Sequence, residues 1–259
     1  MSEIDSRAVV SPTARIGSGV RIGAFAVVGD DVEIGEGCVL EPHAVVRGPA
    51  RFGGKNVFDS FCSVGGDPQD LKFSGERTEL VVGDANRFRE FCTVSRGTTQ
   101  GGGTTRIGSH NLFIAYSHVA HDCIVGSHTV FANGATLAGH VTIEDYASVG
   151  AFSPVHQFCR VGRYAYIGAC TVITQDVPPF SRVVTERETH CYGVNTVGLE
   201  RRGFDSERLE AIERAFRLLL RSKLNTSQAL EQIRAQLNGS PDISELVKFI
   251  ESAQRGLHK

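Results

Sequence analysis

Apolar positions recur every six residues along most of the chain. Aliphatic or aromatic side chains fall at Val10, Ile16, Ile22, Val28, Ile34, Leu40, Val46, Phe52, Phe58 and Val64. The phase resumes at Val82, Phe88 and Val94 and shifts by one. It then runs unbroken from Ile107 through Phe113, Val119, Val125, Phe131, Leu137, Ile143, Val149, Val155, Val161 and Ile167 to Ile173. Four positions after many of these anchors stands something small, as at Ala26, Cys38, Ala44, Cys62, Cys92, Cys123, Ala135, Ala147, Ser153, Cys159, Ala165 and Thr171. Glycine often follows the anchor, as in Ile16-Gly17, Ile34-Gly35 and Val125-Gly126, which predicts tight bends where a side chain would clash. Short strands joined by such bends are the units of a parallel β-helix, an all-β solenoid. With three sextets to a triangular coil and about 4.8 Å between coils, roughly eight coils make a prism roughly 40 Å long.

Two stretches break the period. Residues 66–79, "GDPQDLKFSGERTE", form one excursion and residues 97–105, "GTTQGGGTT", the other. Loops on a rigid support are candidate binding elements, although surface insertions without function are also common. After Ile173 the sextets fade, and residues 205–222 show helical spacing at Leu209, Ile212, Ala215, Phe216, Leu219 and Leu220. Further helices are expected at 227–237 and 243–255, the last opened by Asp242-Ile243-Ser244-Glu245 after Pro241. The expected organisation is therefore a β-helix over 1–190 and an α-helical C-terminal domain over 191–259.

Composition narrows the function. A formal net charge of -2 gives no overall basic field, so nucleic-acid binding is not expected. The chain has no transmembrane run, which would need about 18 apolar residues, and its opening "MSEIDSRAVV" does not read as a signal peptide, so a cytoplasmic protein is expected. Seven cysteines form no CxxC pair, which argues against a disulfide framework and a zinc ribbon. Cys38, Cys62, Cys92, Cys123 and Cys159 occupy the small inward position and read as buried apolar groups.

The histidines differ. His118, His121, His140 and His156 sit outside the inward positions, and a coil of about 18 residues would bring them near one external edge. An edge cluster of imidazoles suits acid–base chemistry, and a solvated surface is the competing reading. His110 and His128 occupy similar bends without a comparable motif. The sequence offers no compact zinc ligand set, so neither a metal nor a cofactor is expected.

Specific motifs now enter in order: Gln69-Asp70-Leu71-Lys72, then "RGTTQGGG", "HVAHDC", "NGATLAGH", "VHQFC", "QDVPPF" and "GVNTVGLERRGF". Together they resemble the bacterial UDP-N-acetylglucosamine O-acyltransferases, which begin lipid A biosynthesis, over nearly the whole chain. The resemblance implies the left hand of the β-helix, since the usual crossover preference would give the opposite. It also implies a homotrimer with active sites between adjacent prisms. The implied reaction moves a 3-hydroxyacyl chain from acyl carrier protein to the 3-hydroxyl of UDP-N-acetylglucosamine.

By the same resemblance His121 is the general base, Asp122 its partner, and the Gly139 N–H the oxyanion donor. His118, His140, His156 and Gln157 surround the nucleotide sugar and acyl donor. Gln69, Asp70, Leu71 and Lys72 belong to a substrate loop, Asn195 and Arg201 complete a family-like site, and Ala169 sets acyl length. Arg208, Arg214, Arg217, Arg221 and Lys223 could draw in the acidic carrier or simply form a solvated helix face. The family commonly has a glutamate where this chain has Val197. A related subset acylates a 3-amino sugar, so N-acyl transfer is retained as an alternative, together with a noncatalytic binding scaffold.

Overall fold

The computed structural model describes residues 2–185, 191 and 193–253. Two compact units divide between Thr185 and Glu186. The expected boundary at 190 falls on residues 186–190, outside the described residues.

In the first unit the chain visits three sheets in rotation. Leu112–Phe113 belongs to the first, His118–Val119 to the second and Ile124–Val125 to the third. The sheets hold ten, eight and eight parallel strands, most of them two residues long, wound as a left-handed parallel β-helix. The sextet register explains this winding. Anchor and small residue point inward, so Val119, Cys123 and Val125 are all buried while Ile124 between the last two is exposed. On the first sheet the anchors Phe58, Phe88, Phe113 and Phe131 stack with ring centroids 5.3, 4.9 and 4.8 Å apart, one ring per coil. All five cysteines expected inside are buried.

Bends join the sheets along three edges. At the edge between the first and second sheets, Phe25, His43, Phe61, Phe91 and Tyr116 all take positive φ, between 60° and 65°. Such a backbone is costly for bulky residues. It is offset by hydrogen bonds between coils, such as Tyr116 N–H to the Glu90 carbonyl at 3.1 Å, and by a continuous stack of these five rings. His110 and His128 stack in the same way with Tyr146, Tyr164 and Phe180 along the edge between the third and first sheets, so both serve the scaffold. The glycine after the anchor meets a different demand. Gly35 does not take positive φ, and a Cβ there would lie 2.5 Å from the carbonyl carbon of Gly53 in the next coil. The left-handed position falls later in the bend, where aromatic, histidine and aspartate side chains predominate and Lys55, Ala85, Cys170 and a few glycines fill the rest.

Both excursions leave the prism at the remaining edge, between the second and third sheets. One connects strand Ser63–Gly66 to Glu79–Val82, the other Thr93–Ser95 to Thr104–Ile107. A ladder of buried amides carries the register past them: Asn56 Oδ1 accepts from Asn86 N–H, Asn86 Oδ1 from Asn111 N–H, and Asn111 Oδ1 from Thr129 N–H. These partners are 30, 25 and 18 residues apart, so the coils close to a common register whatever the loop between them.

The second unit contains helices α1 (Thr196–Glu200), α2 (Ser206–Leu220), α3 (Thr226–Gln236) and α4 (Pro241–Ser252). Ala215, Leu219, Leu230, Ile233, Ile243, Val247 and Ile250 form its core. Helix α4 begins earlier than expected because Pro241 occupies its first turn, where a missing N–H is harmless. Its expected end, 254–255, lies outside the described residues. Helix α1 was not anticipated: five residues are too few for a periodic signal, and Asn195 nucleates it by accepting from Gly198 N–H at 3.2 Å. None of the described helices is long and apolar enough to cross a membrane.

Candidate active site

The edge that bears the excursions also gathers the chemistry. In the bend between His118–Val119 and Ile124–Val125, Asp122 takes the left-handed position with φ 58°. His140 and Phe158 take the corresponding places in the next two coils, with φ 62° and 67°, and their rings stack 4.6 Å apart. His121 precedes Asp122 and lies edge-on to His140, with ring centroids 5.2 Å apart.

His121 Nδ1 is 2.8 Å from Asp122 Oδ2. The carboxylate can only accept, so Nδ1 carries the proton and Nε2 keeps its lone pair for an incoming hydroxyl. Asp122 is itself held tightly. Its Oδ1 accepts from Thr98 N–H at 2.8 Å, its Oδ2 also accepts from the Thr98 hydroxyl at 2.7 Å, and its own N–H donates to Thr105 Oγ1 at 2.8 Å. The side chain of Asp122 is 1% exposed and that of His121 14%, so the carboxylate is enclosed while the imidazole keeps an open face.

Gly139 lies directly across the ring. A Cβ at this position would be 2.6 Å from His121 Cε1 and 2.9 Å from Nε2, so any larger residue would push the imidazole away. Among the described residues no carbonyl accepts the Gly139 N–H, which leaves a donor beside the basic nitrogen. His118 stands on the outer face of the second sheet, where its Nδ1 is 2.7 Å from Thr93 Oγ1. Burial, and secondarily the nearby His121, lowers its pKa below the usual imidazole value.

The ligand atoms of His121, Asp122 and His140 lie within 4.8 Å of one another, so a metal centre has to be weighed. Both Asp122 oxygens are engaged by N–H and O–H donors, and His140 Nε2 is 3.8 Å from Oδ2. A cation would have to displace these donors. The arrangement suits an acid–base pair.

Other expected residues occupy elements of their own. His156 and Gln157 are exposed in the bend that leads to Phe158, and His156 Nδ1 is 3.2 Å from the Gln157 carbonyl. In the first excursion Gln69, Leu71 and Lys72 are exposed, and Asp70 folds back to accept from Lys72 N–H at 3.0 Å. Ala169 sits in the bend after Tyr166–Ile167 on a different edge of the prism from His121. Asn195, Val197 and Arg201 share α1 or its caps in the second unit. Arg208 grips Asp242 through Nε and Nη2 at 2.9 and 2.8 Å and lies over the Phe204 ring, a structural role within that unit.

Cys123 adjoins the pair but does not join it: burial pushes its thiol up to about 12, and it donates to the Ala138 carbonyl. Sequence reasoning did not assign Thr93, Thr98, Gly101 or Thr105. Thr98 and Gly101 entered only as members of the motif "RGTTQGGG", without a role, while Thr105 ends the second excursion and Thr93 lies just before it.

A left-handed β-helix with a buried carboxylate and an open imidazole on one edge defines a hexapeptide-repeat transferase. Residues 3–48 and 104–139 match the bacterial transferase hexapeptide family, and residues 176–258 match the second domain of UDP-N-acetylglucosamine O-acyltransferase. An acyl-[acyl-carrier-protein]--UDP-N-acetylglucosamine O-acyltransferase of Stenotrophomonas maltophilia is 50% identical over 254 residues, covering 98% of this chain and 97% of that protein. The enzyme of the same name from Xylella fastidiosa is 48% identical over 256 residues, covering 99% and 97%. Among solved structures, LpxA of Acinetobacter baumannii superposes with a TM-score of 0.70 at 40% identity, covering 99% of each chain. The chain belongs to the UDP-N-acetylglucosamine O-acyltransferase family.

Proposed function

We propose that the chain transfers a 3-hydroxyacyl group from acyl carrier protein to the 3-hydroxyl of UDP-N-acetylglucosamine, the first reaction of lipid A biosynthesis, with His121 as general base. The observation that carries the mechanism is the His121–Asp122 hydrogen bond with Nε2 left free. Nε2 takes the proton of the sugar hydroxyl as its oxygen attacks the thioester carbonyl. Asp122 holds the ring and stabilises the imidazolium that forms. The Gly139 N–H stabilises the oxyanion. Collapse expels the carrier's thiolate, which recovers the proton from His121, leaving an oxygen ester and free carrier with no acyl-enzyme. What supports catalysis over a scaffold that only binds is the open face of the His121 imidazole beside that enclosed carboxylate.

The chain acts as a homotrimer in this reading, with a second prism supplying the missing wall. Support comes from Ala169, which stands on a different edge from His121. Both edges border the outer face of the second sheet, and a second copy packed on that face would enclose an acyl chain reaching from one to the other. His118, His140, His156 and Gln157 line the sugar and acyl donor, the loop Gln69, Asp70, Leu71 and Lys72 closes over the substrate, and Asn195 and Arg201 are further substrate-binding residues. Ala169 limits the acyl length.

Val197 favours one further reading. It is exposed on α1, where the family commonly has glutamate, and N-acyl transfer to the 3-amino sugar would be the corresponding reaction. Matched kinetics with both sugars and one 3-hydroxyacyl carrier, repeated over several chain lengths, test the two together. The hydroxyl sugar is expected to have the higher kcat/KM. A preference for the amine by orders of magnitude would reverse the assignment.

A further inference from the structure

At many bends the left-handed residue carries a ring that stacks on its counterpart one coil below, as Phe91 does on Phe61 and Phe158 on His140. Asp122 has no such neighbour, because the second excursion replaces the bend beneath it. That excursion instead folds over the carboxylate. Thr98, 5% exposed, donates from its N–H to Oδ1 and from its hydroxyl to Oδ2. The turn Thr99–Gly101 then passes so close that a Cβ on Gly101 would lie 2.0 Å from Asp122 Cγ. The Thr98 hydroxyl also accepts from Gly101 N–H at 3.2 Å, so the residue that holds the carboxylate also holds the loop against it.

We propose that Thr98 is a positioning residue for the acyl transfer, and that the second excursion serves to lock Asp122 rather than to bind substrate. This rests on His121 and Asp122 acting as proposed above. The two Thr98 donors fix the plane of the carboxylate, so Oδ2 faces His121 Nδ1 before substrate arrives. Rotation of the carboxylate would break all three of its hydrogen bonds at once. Such preorganisation affects the rate of the step in which the imidazole becomes charged and leaves substrate affinity alone.

The test is a double-mutant cycle between Thr98→Val and Asp122→Asn, with Thr98→Ser and Gly101→Ala as companions. Thr98→Val should lower kcat by a factor of about 10 to 100 with KM within about twofold, and Thr98→Ser should recover most of the rate. In the Asp122→Asn background Thr98→Val should cost nothing further, since the group it positions has gone. Gly101→Ala, which forces the carboxylate aside while keeping both threonine donors, should show the same dependence on Asp122. Equal losses in both backgrounds, a loss confined to KM, or a Thr98→Ser variant as slow as Thr98→Val would overturn the proposal. A fall in kcat that merely follows the folded fraction on thermal unfolding would overturn it as well. Full activity of Asp122→Asn alone would instead remove the dyad itself, which separates failure of the mechanism from failure of this inference.

Discussion

His121 and Asp122 are neighbours in the chain, yet their side chains meet, with Nδ1 2.8 Å from Oδ2. Consecutive residues in a strand point to opposite faces. These two converge because the bend places Asp122 at φ 58°. The same left-handed backbone that turns the coil also aims the carboxylate.

Asparagine and alanine at position 122 should therefore behave differently. Asp122→Asn keeps a residue that tolerates positive φ and should melt close to the parent, while kcat falls by a factor of about 100 to 10,000. Asp122→Ala strains the bend and strands the Thr98 donors, so it should in addition lose about 1 to 2 kcal/mol of stability. Parallel kcat and thermal unfolding measurements check both, and an Asp122→Asn variant that unfolds as easily as Asp122→Ala would contradict the backbone account.

Gly139→Ala is expected to abolish most activity without unfolding the prism. The added Cβ would fall 2.6 Å from His121 Cε1, so the ring must move and its hydrogen bond to Asp122 must lengthen. Loss of the downfield imidazole proton resonance of His121 in this variant would report that displacement directly. An unchanged resonance beside a lost rate would assign the defect to the oxyanion donor instead.

His118 gives the folded protein a pH dependence of definite sign. Burial lowers its pKa in the folded state, so between that lowered value and about 6.5 the unfolded chain binds a proton that the folded chain does not. Its contribution to stability is complete above about pH 6.5 and is lost progressively as pH falls through the folded pKa. His118→Gln should flatten the acid side of a plot of melting temperature against pH, and a variant with an unchanged slope there would refute the assignment.

The repeat was legible in the sequence because one physical demand, an apolar side chain every sixth residue, is repeated often enough to stand above noise. Val119 and Cys123 could be placed inside by counting alone. The site was legible only as a set of residues outside that register. Counting could not tell His121, which meets Asp122, from His128, which stacks between His110 and Tyr146. Both occupy bends, and the difference lies in what stands one coil away. Thr98 escaped notice for a related reason: its partner Asp122 is 24 residues distant, across a loop that carries no periodic signal.

Cys123 should be inert despite adjoining the catalytic pair. With its thiol pushed up to about 12 and its Sγ enclosed, iodoacetamide at pH 8 should leave it unmodified in the folded protein and label it only after denaturation. Rapid native labelling at Cys123, read by peptide mass spectrometry, would contradict the inward placement of this residue.

The most direct measurement is the turnover of His121→Ala with 3-hydroxyacyl carrier protein and UDP-N-acetylglucosamine, set beside its molecular mass in solution and its melting temperature. The account predicts that kcat falls by a factor of at least about 100 while assembly size and melting temperature stay near those of the parent, because His121 lies outside the core and anchors no coil. Full turnover by a correctly assembled His121→Ala protein would contradict it.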